Sequence, residues 1–503
     1  MAKFLRRLKY RDNPKSFPIR DNTHFQEKNI EDALLDADLT KNIANIQNIF
    51  RQAPDLVIRR FQITVDGLEA VLVYLSGLTD KELIQNHVLS PLMNSDFNTN
   101  TELPIPLGQI KIINTLSQIE NAIFGGDSVL LIHSRTTAHQ LDTKGWPQRS
   151  VEDAHNEIAL KGAHQAFIET GSQNIAMIRR YIPHRELAIK EIVIGVRSKT
   201  QISILYLKDV ASEDVLKELE TRIQNITIDA VTSNGELIEF IEDHPYSPFP
   251  QFILTERPDL AVSHILQGRF VTVMDHSPNV LITPTNFISF FQGVDDYGTR
   301  WLVASSIRLL RFIAFMVALF LPASYVAFIS FNFEVIPVEL YLSIAESRTR
   351  VPFSPVMEAL LMEITLETMR EGALRIPTPI GQTAVQAGIV SNIMIIVVAV
   401  TAISSFVIPN YDMGASVRLL RFPMMLAAAL FGIVGLVIGW MTLIGHLSSL
   451  KSLGTSYGTP LAPFRFADMK DVFIRFPLWT IRRRPKGNGT NQTIRQGKNR
   501  NKR

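Results

Sequence analysis

The sequence predicts an α/β N-terminal region of two subdomains, followed by an all-α polytopic membrane domain and a basic tail. Three observations predict this division. The 503 residues are 46% hydrophobic, and the mean hydropathy is slightly positive, which is unusual for a soluble protein of this size. All three long segments without Asp, Glu, Lys or Arg lie after residue 300. Before that point, strand-like and helix-like patterns alternate, as expected for layered sheets and helices.

Residues 1–34 are predicted to be a basic, disordered N-terminal arm. Arg6, Arg7 and Lys9 interrupt every apolar run near the start, so we expect no secretory signal. The region that follows is therefore expected to remain in the cytoplasm.

The first α/β subdomain is expected over residues 35–150. An amphipathic segment predicts a helix near its start, two alternating or β-branched runs and one later segment predict strands, and Thr79 is the expected N-cap of the helix after the second strand. The corresponding segments are 34–50 for the first helix and 56–65, 69–75 and 128–133 for the strands.

The second subdomain is expected over residues 151–300, with the division near 149–151. It begins with a long predicted helix and continues with two strands, a further helix and a strand near Ile226. These segments are 156–180, 188–196, 201–207 and 212–224. No internal sequence repeat is visible.

The membrane domain is expected over residues 301–450. The charge-free runs 312–331, 376–411 and 422–450 are each long enough to cross roughly 30 Å of hydrocarbon at about 1.5 Å per residue. A buried helix of a large soluble protein is the alternative for any one run. Three such runs in one part of the chain favour a bilayer.

Charge predicts the topology of this domain. Arg300, Arg308 and Arg311 precede the first run, and the segment from Ser448 onward carries thirteen Lys or Arg against two Asp. The positive-inside rule therefore places both termini in the cytoplasm, which requires an even number of crossings. The extra crossing is a segment at 355–371 or a re-entrant turn within the second run. We expect spans near 309–331, 383–409 and 422–447, with 355–371 as the further candidate.

Glu363 and Glu367 are candidate gating residues, because two carboxylates at helical spacing i,i+4 and at membrane depth need cations or water. Arg370 or Arg375 is the expected partner cation. The second run also presents a stripe with polar ends and an apolar waist, which fits a water-filled pore with a hydrophobic constriction. Packing between helices is the alternative, and the bare sequence favours it. The stripe contains Gln382, Gln386, Val390, Ile393, Val397 and Thr401, and it continues to Ser405.

Enzymatic signatures are absent from the sequence. Without cysteine there is no disulfide, thiolate zinc site or iron–sulfur cluster, and no phosphate-binding loop or nucleophile elbow is present. His155, Glu157, His164 and Glu169 are predicted to lie along one helix, but their spacing favours a solvated face over a metal site. We therefore expect no catalysis, no metal and no cofactor. The basic tail is expected to be a disordered anchor near anionic headgroups rather than a nucleic-acid-binding segment.

Several motifs resemble the A subunits of the GerA-type spore germination receptors. They include FEVIPVELYLSIAESRTRVPFSPVMEALLMEITLETMREGALRIPTPIG from Phe333, TERPD, GRFVTVMDHSPNVLITP, DDY and SLGTSYGTPLAPF. The resemblance extends over most of the chain. It singles out a set of candidate interdomain or signalling residues: Glu157, Gly162, Glu169, Arg179, Arg180, Asp275 and Asp296.

The resemblance implies a non-enzymatic receptor component in the inner membrane of the spore, with N- and C-termini in the cytoplasm. Its implied partners are a transporter-like B subunit that binds the germinant, a lipoprotein C subunit, further copies of itself and the lipid bilayer, but no nucleic acid. It also implies an oligomeric, ligand-gated cation channel, which favours the pore interpretation of the stripe. A non-conducting scaffold is the alternative function, and a solute transporter is a weaker one.

Two segments depart from the pattern of the family. The chain passes directly from Pro379-Ile380-Gly381 to Gln382, where relatives usually carry a longer apolar stretch, so the number of crossings stays open. The segment Gly162-Ala163-His164-Gln165-Ala166-Phe167 also lacks the usual Pro, Arg, Glu and Gly.

Overall fold

A computed structural model describes residues 33–63, 67–94, 103–145, 163–349, 351–373, 391–466, 468–485, 487 and 489–497. Its first half contains two five-stranded antiparallel sheets, each with helices packed on it. Its second half is helical. The predicted fold class is therefore confirmed.

The first sheet has the strand order β1-β2-β4-β5-β3. Strands β1 and β2 pair from Leu56 opposite Leu75 to Ile63 opposite Leu68. Apolar side chains on both faces of the sheet are covered by helices, which gives two core clusters. The elements are α1 (Leu39–Ile49), β1 (Leu56–Ile63), β2 (Leu68–Leu75), α2 (Lys81–Leu83), a π-helical turn (Ile84–Leu89), α3 (Ser90–Asn94), β3 (Ile110–Ile113), α4 (Leu116–Phe124), β4 (Ser128–Ile132) and β5 (Ala138–Leu141).

The second sheet has the order β6-β7-β9-β10-β8, which is the same arrangement as in the first. The two subdomains thus repeat one topology that the sequence did not reveal, because a sheet requires matching burial patterns and not matching residues. The elements are α5 (Gly171–Tyr181), β6 (Leu187–Ile194), β7 (Thr200–Leu207), α6 (Glu213–Gln224), α7 (Asn234–Ile241), β8 (Ile253–Thr255), α8 (Pro258–Ile265), β9 (Phe270–Met274) and β10 (Val280–Thr283).

Three local predictions were wrong. Asp80, and not Thr79, caps the helix after β2, because its carboxylate accepts from the amides of Glu82 and Leu83 while the Thr79 hydroxyl donates to the Leu75 carbonyl. Residues 163–170 are not helical, so His164 and Glu169 do not lie on a helix. The segment at Ile226 is not a strand. Its neighbour Ile228 accepts only one backbone hydrogen bond, from Val196.

The helical region begins at Trp301. Two of its helices, α10 and α14, are long and apolar enough to cross a membrane. A set of large apolar side chains on α14 is exposed, including Leu426, Phe431, Val434 and Met441, which is the surface expected of a helix in lipid. The elements are α9 (Asp295–Gly298), α10 (Trp301–Ser330), α11 (Val338–Arg348), α12 (Pro355–Ala373), α13 (Asn392–Phe406) and α14 (Tyr411–Ser449).

The other two predicted spans, 355–371 and 383–409, do not have the same bounds as the helices found there. The candidate segment 355–371 lies within the continuous helix α12. The described part of the segment 383–409 contains α13, and its beginning lies outside the described residues. The number of crossings stays a prediction.

The described part of the basic tail contacts the second subdomain at several points. Tyr457 is buried and donates to the Pro250 carbonyl at 2.8 Å, and the amide of Asn491 donates to the Val210 carbonyl at 2.9 Å. The expectation of a disordered anchor was therefore wrong for the described part of the tail. Its polar side chains and backbone find carbonyl partners on the folded domain, which offsets the entropy of ordering.

Candidate coupling site

A buried acidic residue joins the second subdomain to the first long helix. Asp296 lies in α9 and is only 1% exposed. Its carboxylate oxygens accept from Arg311 Nη1 at 2.8 and 2.9 Å, and Oδ2 accepts from Arg308 Nε at 3.1 Å. Both arginines belong to the first turns of α10 and are also buried. The end of the α/β region is thus fixed to the start of the helical region.

The tail completes this cluster. Arg308 Nη1 donates to Asp471 Oδ1 at 2.7 Å, and the Tyr297 hydroxyl donates to Asp471 Oδ2 at 2.7 Å. Arg475 donates to the main-chain carbonyls of Asp296 and Thr299. The whole set, Asp296, Tyr297, Arg308, Arg311, Asp471 and Arg475, is named the junction cluster. It joins α9 and the start of α10, which are neighbours in the sequence, to the tail, where Asp471 lies 163 residues after Arg308.

Aromatic packing surrounds the junction cluster. Phe291, in the short 3-10 helix after β10, stacks on Phe312 of α10 with ring centroids 4.6 Å apart. Phe312 also meets Phe473 of the tail at 4.6 Å, and Phe287 meets Phe315 edge-on at 5.7 Å. One hydrophobic core therefore continues from the second subdomain into the helical region. Movement of either part requires repacking of this core.

A second buried ion pair lies within the helical region. Glu363 of α12 accepts from Arg421 of α14, and both side chains are only 2% exposed. Arg421 Nε also donates to the Ala318 carbonyl of α10 at 3.0 Å. Three helices are therefore linked through one guanidinium. Breaking such a pair leaves an uncompensated buried charge, which typically costs about 3–5 kcal/mol.

Glu367 is paired with two arginines, neither of which is the partner of Glu363. Arg418 Nε lies 3.2 Å and Arg370 Nη1 3.6 Å from its carboxylate. The expected partner Arg370 is thus close to Glu367, whereas Glu363 is paired with a residue of the last long helix, and Arg375 lies outside the described residues.

The predicted stripe faces the interior of the helical region where it is described. Ile393 is half-buried, Val397 is 9% exposed and Thr401 is fully buried. The Thr401 hydroxyl donates to the Val397 carbonyl at 2.7 Å, within its own helix. The outward face of α13 consists of other apolar residues, such as Val400 and Ile403. Gln382, Gln386 and Val390 lie outside the described residues.

Arg179 lies at the seam between the two subdomains. It is 1% exposed, and it donates from Nε and Nη2 to the two carboxylate oxygens of Asp55 at 2.8 and 2.7 Å. Two further contacts cross this seam: Arg185 Nε lies 2.9 Å from the Glu120 carboxylate, and the Ile189 amide donates to the Gln52 carbonyl.

The other candidate signalling residues are spread over the second subdomain. Asp275 Oδ1 accepts from the Gly171 amide at 2.9 Å, at the start of α5. Glu169 and Arg180 are exposed, and the Glu169 carbonyl accepts from the His276 amide. They do not join the junction cluster, of which Asp296 alone belongs to the candidate set. Glu157 and Gly162 lie outside the described residues.

Sequence reasoning missed most of the charged partners. Arg308 and Arg311 were interpreted only as topology signals, and Arg421, Asp471 and Arg475 were not singled out. The available signal was an arginine at the edge of a charge-free run, as at Arg311 and Arg421. Such a residue has the same pattern whether it anchors the helix in headgroups or pairs inside the protein. Among the described residues, no group of three or more His, Asp or Glu is arranged to hold a metal ion.

Comparisons with known proteins give a consistent result. The family described as Bacillus/Clostridium GerA spore germination protein matches residues 44–487. Spore germination protein KA of Bacillus subtilis is 36% identical over 94% of this chain and 91% of that protein. The Bacillus subtilis protein named uncharacterized membrane protein YfkQ is also 36% identical, over 91% of this chain and 94% of its own length. Spore germination protein GerLA of Bacillus cereus is 34% identical over 90% and 96%.

A solved structure of a related domain is also similar. It is the crystal structure of the N-terminal domain of the A subunit of the Bacillus megaterium spore germinant receptor GerK3, with 28% identity and a TM-score of 0.39. The similarity covers 51% of this chain and 98% of that chain. Taken with the match over residues 44–487, the relatives establish that this chain is a GerA-family spore germination protein of the A-subunit type.

Proposed function

We propose that this A subunit forms or gates an oligomeric cation channel in the spore inner membrane, with its N- and C-termini in the cytoplasm. In this proposal it acts with a transporter-like B subunit that binds the nutrient and with a lipoprotein C subunit. The observation that carries the proposal is the continuous core between the second subdomain and the helical region. A displacement of the soluble part reaches α10 through the junction cluster, and α10 packs against α13.

The burial of the stripe supports a closed gate as the resting state. Val397 and Thr401 are buried among helices of the same chain. Water and cations gain access to this face only when α13 separates from its neighbours, so opening requires a second arrangement of the bundle. The buried pair of Glu363 and Arg421 joins α12 to α14 and holds the closed arrangement together. The ligand shifts the balance between the two arrangements.

The test compares two substitutions on one helix. Val397→Asn places an amide on the buried stripe, and Val400→Asn places the same amide on the face that is 41% exposed. The full chain is reconstituted into liposomes, and the efflux of potassium is measured. We expect Val397→Asn to leak and Val400→Asn to remain as tight as the wild type. Thermal unfolding of each variant in detergent shows whether the protein is folded.

Other outcomes contradict the proposal. A leak only with Val400→Asn would place the pore on the outward face. Tight vesicles with both variants, with folded oligomers present, would favour a non-conducting scaffold that organises the germinant-binding subunit. That alternative draws support from the dense packing of the stripe within one chain.

A further inference from the structure

A cavity of about 520 Å³ lies between the second subdomain and the tail. From the second subdomain, Arg269, Ser289 and Gln292 line the cavity. From the tail, Asp471, Trp479 and their neighbours in the sequence line it. The cavity is next to the junction cluster, because Asp471 belongs to both. Neither the family relationship nor the proposed channel accounts for it.

Arg269 is a buried cation with free donors. Its side chain is only 2% exposed, and Nη2 donates to Ser289 Oγ at 2.8 Å. Within the part of the chain that the structure describes, its Nε and Nη1 groups have no hydrogen-bond partner and no carboxylate lies within ion-pair distance. Burial lowers the pKa of Arg269 to about 10. It therefore remains charged at neutral pH, in a place where an unpaired charge is costly.

The neighbouring charges do not compensate Arg269. Both carboxylate oxygens of Asp471 are already engaged, one by Arg308 and the other by the Tyr297 hydroxyl. Arg484 is 8% exposed and is held by the neutral carbonyls of Leu266 and Ile494 at 2.8 Å. The cavity lining contains six cations against the two carboxylates Asp468 and Asp471: Arg269, Lys470, Arg482, Arg483, Arg484 and Arg495.

We propose that this cavity binds a phosphate group, supplied by a phospholipid headgroup or by free phosphate. A tetrahedral oxyanion accepts several hydrogen bonds at once, and arginine is the side chain best suited to donate them. The phosphate would accept from the free donors of Arg269 and would neutralise part of the positive surplus. Arg482 and Arg483 also line the cavity and are exposed, so they attract anions from solution.

Exposed apolar side chains of the tail segment that contributes Val472 and Trp479 to the cavity favour a lipid headgroup as the source. Ile474, Phe476, Leu478 and Trp479 of the tail are all between 41% and 49% exposed. Aromatic and aliphatic side chains next to arginines are typical of a surface that lies in the headgroup region of a bilayer. A phosphate at the membrane surface would then fix the position of the tail against the second subdomain.

The test measures thermal unfolding of the full chain in a phosphate-free neutral detergent. Inorganic phosphate is added in one arm. In the other arm, phosphatidylglycerol is added to the same detergent micelles. We expect phosphate or phosphatidylglycerol to raise the unfolding temperature of the wild type. Arg269→Gln should bind about tenfold to 100-fold more weakly, as expected for the loss of charge-assisted hydrogen bonds. A response in the first arm identifies free phosphate as a source, and a response confined to the second identifies the lipid.

The control is Arg197→Gln, which removes the same charge from an arginine whose side chain is 81% exposed, outside the cavity. It should respond to phosphate like the wild type. Without ligand, Arg269→Gln should be at least as stable as the wild type, because it removes an uncompensated charge. If it fails to fold, Arg269→Lys replaces it and should also weaken binding. No stabilisation by either additive, or equal loss in Arg197→Gln and Arg269→Gln, would overturn the proposal.

Discussion

Asp296 is the residue on which the junction cluster depends. Its single carboxylate, which is 1% exposed, faces Arg308 and Arg311, and Arg308 has a second carboxylate partner in Asp471. Arg311 has no other carboxylate partner among the ion pairs of the described residues. The cluster therefore tolerates the loss of Asp471 better than the loss of Asp296.

We expect Asp296→Asn to lower the free energy of unfolding by about 3 kcal/mol or more, because it leaves Arg311 buried without a counter-charge. Chemical or thermal unfolding in detergent measures the loss. Asp229→Asn is the matched control, since Asp229 is exposed and pairs with Arg197 at 3.4 Å. Its expected effect is within about 0.5 kcal/mol. Equal stability of the two variants would contradict the assigned role of Asp296.

Glu242 gives the second subdomain a pH dependence. Burial, with Glu239 and Asp243 nearby, raises the pKa of Glu242 to about 7. Between its ordinary value of 4.5 and about 7, the folded chain binds a proton that the unfolded chain releases. The contribution of Glu242 to the free energy of unfolding therefore falls as pH rises through this window.

Glu242→Gln should abolish the decrease in the free energy of unfolding that Glu242 causes as the pH rises. We expect it to be more stable than the wild type by about 1 kcal/mol at pH 8, a modest gain because the side chain is partly exposed to water. The gain should disappear below pH 4.5, where the wild-type side chain is protonated in both states. Unfolding curves across pH measure the difference, with Glu191→Gln on the exposed face of β6 as the control. A gain that is the same at every pH would refute the titration of Glu242 as its cause.

At the scale of elements, α14 is two helical segments joined at Gly432. Gly432 has φ +60° and ψ −138°, a backbone conformation that is essentially limited to glycine. The kink brings the Ile433 amide within 3.2 Å of Asn332 Oδ1, which accepts its hydrogen bond. The bend of the last long helix is thus fixed by the loop that follows α10.

Gly432→Ala should destabilise the helical region by about 1–3 kcal/mol, because the new methyl group would hold a strained backbone. Its Cβ would also lie 2.7 Å from Asn332 Oδ1. Gly445→Ala, in the same helix, meets no atom within 4 Å and should change stability by about 1 kcal/mol at most. Thermal unfolding in lipid nanodiscs compares the two variants. A neutral Gly432→Ala would show that the helix can straighten without cost.

At the scale of the whole molecule, buried ion pairs join two repeated subdomains and a helical region, and the second subdomain also shares a hydrophobic core with the helices. Arg179 and Asp55 form an ion pair across the seam between the subdomains. Asp296 pairs with Arg311 at the junction with the helices.

Arg179→Lys should loosen the seam, because lysine keeps the charge but loses the two-pronged hydrogen bond with Asp55. We expect faster hydrogen–deuterium exchange in α5 and around Asp55, while exchange in the helical region stays unchanged. Arg197→Lys provides the control at an exposed position. Uniformly faster exchange across all three parts would mean that they unfold as one unit and that the seam has no separate stability.

Part of the candidate site could be predicted from the sequence. Motif resemblance singled out Arg179 and Asp296, and both are buried in ion pairs that join parts of the molecule. The spacing of Glu363 and Glu367 indicated that they need cations or water, but the partner of Glu363 was not identified. Arg421 is 58 residues away from it along the chain. Local spacing identifies only partners on the same helix.

The sequence by itself determined the fold class, the start of the helical region and the family, because hydropathy, alternation and motifs are properties of neighbouring residues. Tertiary structure alone decided which charges meet, that the two subdomains share one topology, and that the tail packs on the second subdomain. Asp296 and Arg475 are separated by 179 residues, yet a guanidinium of one bonds the carbonyl of the other. Such pairing follows from the packing of whole elements, which no local pattern encodes.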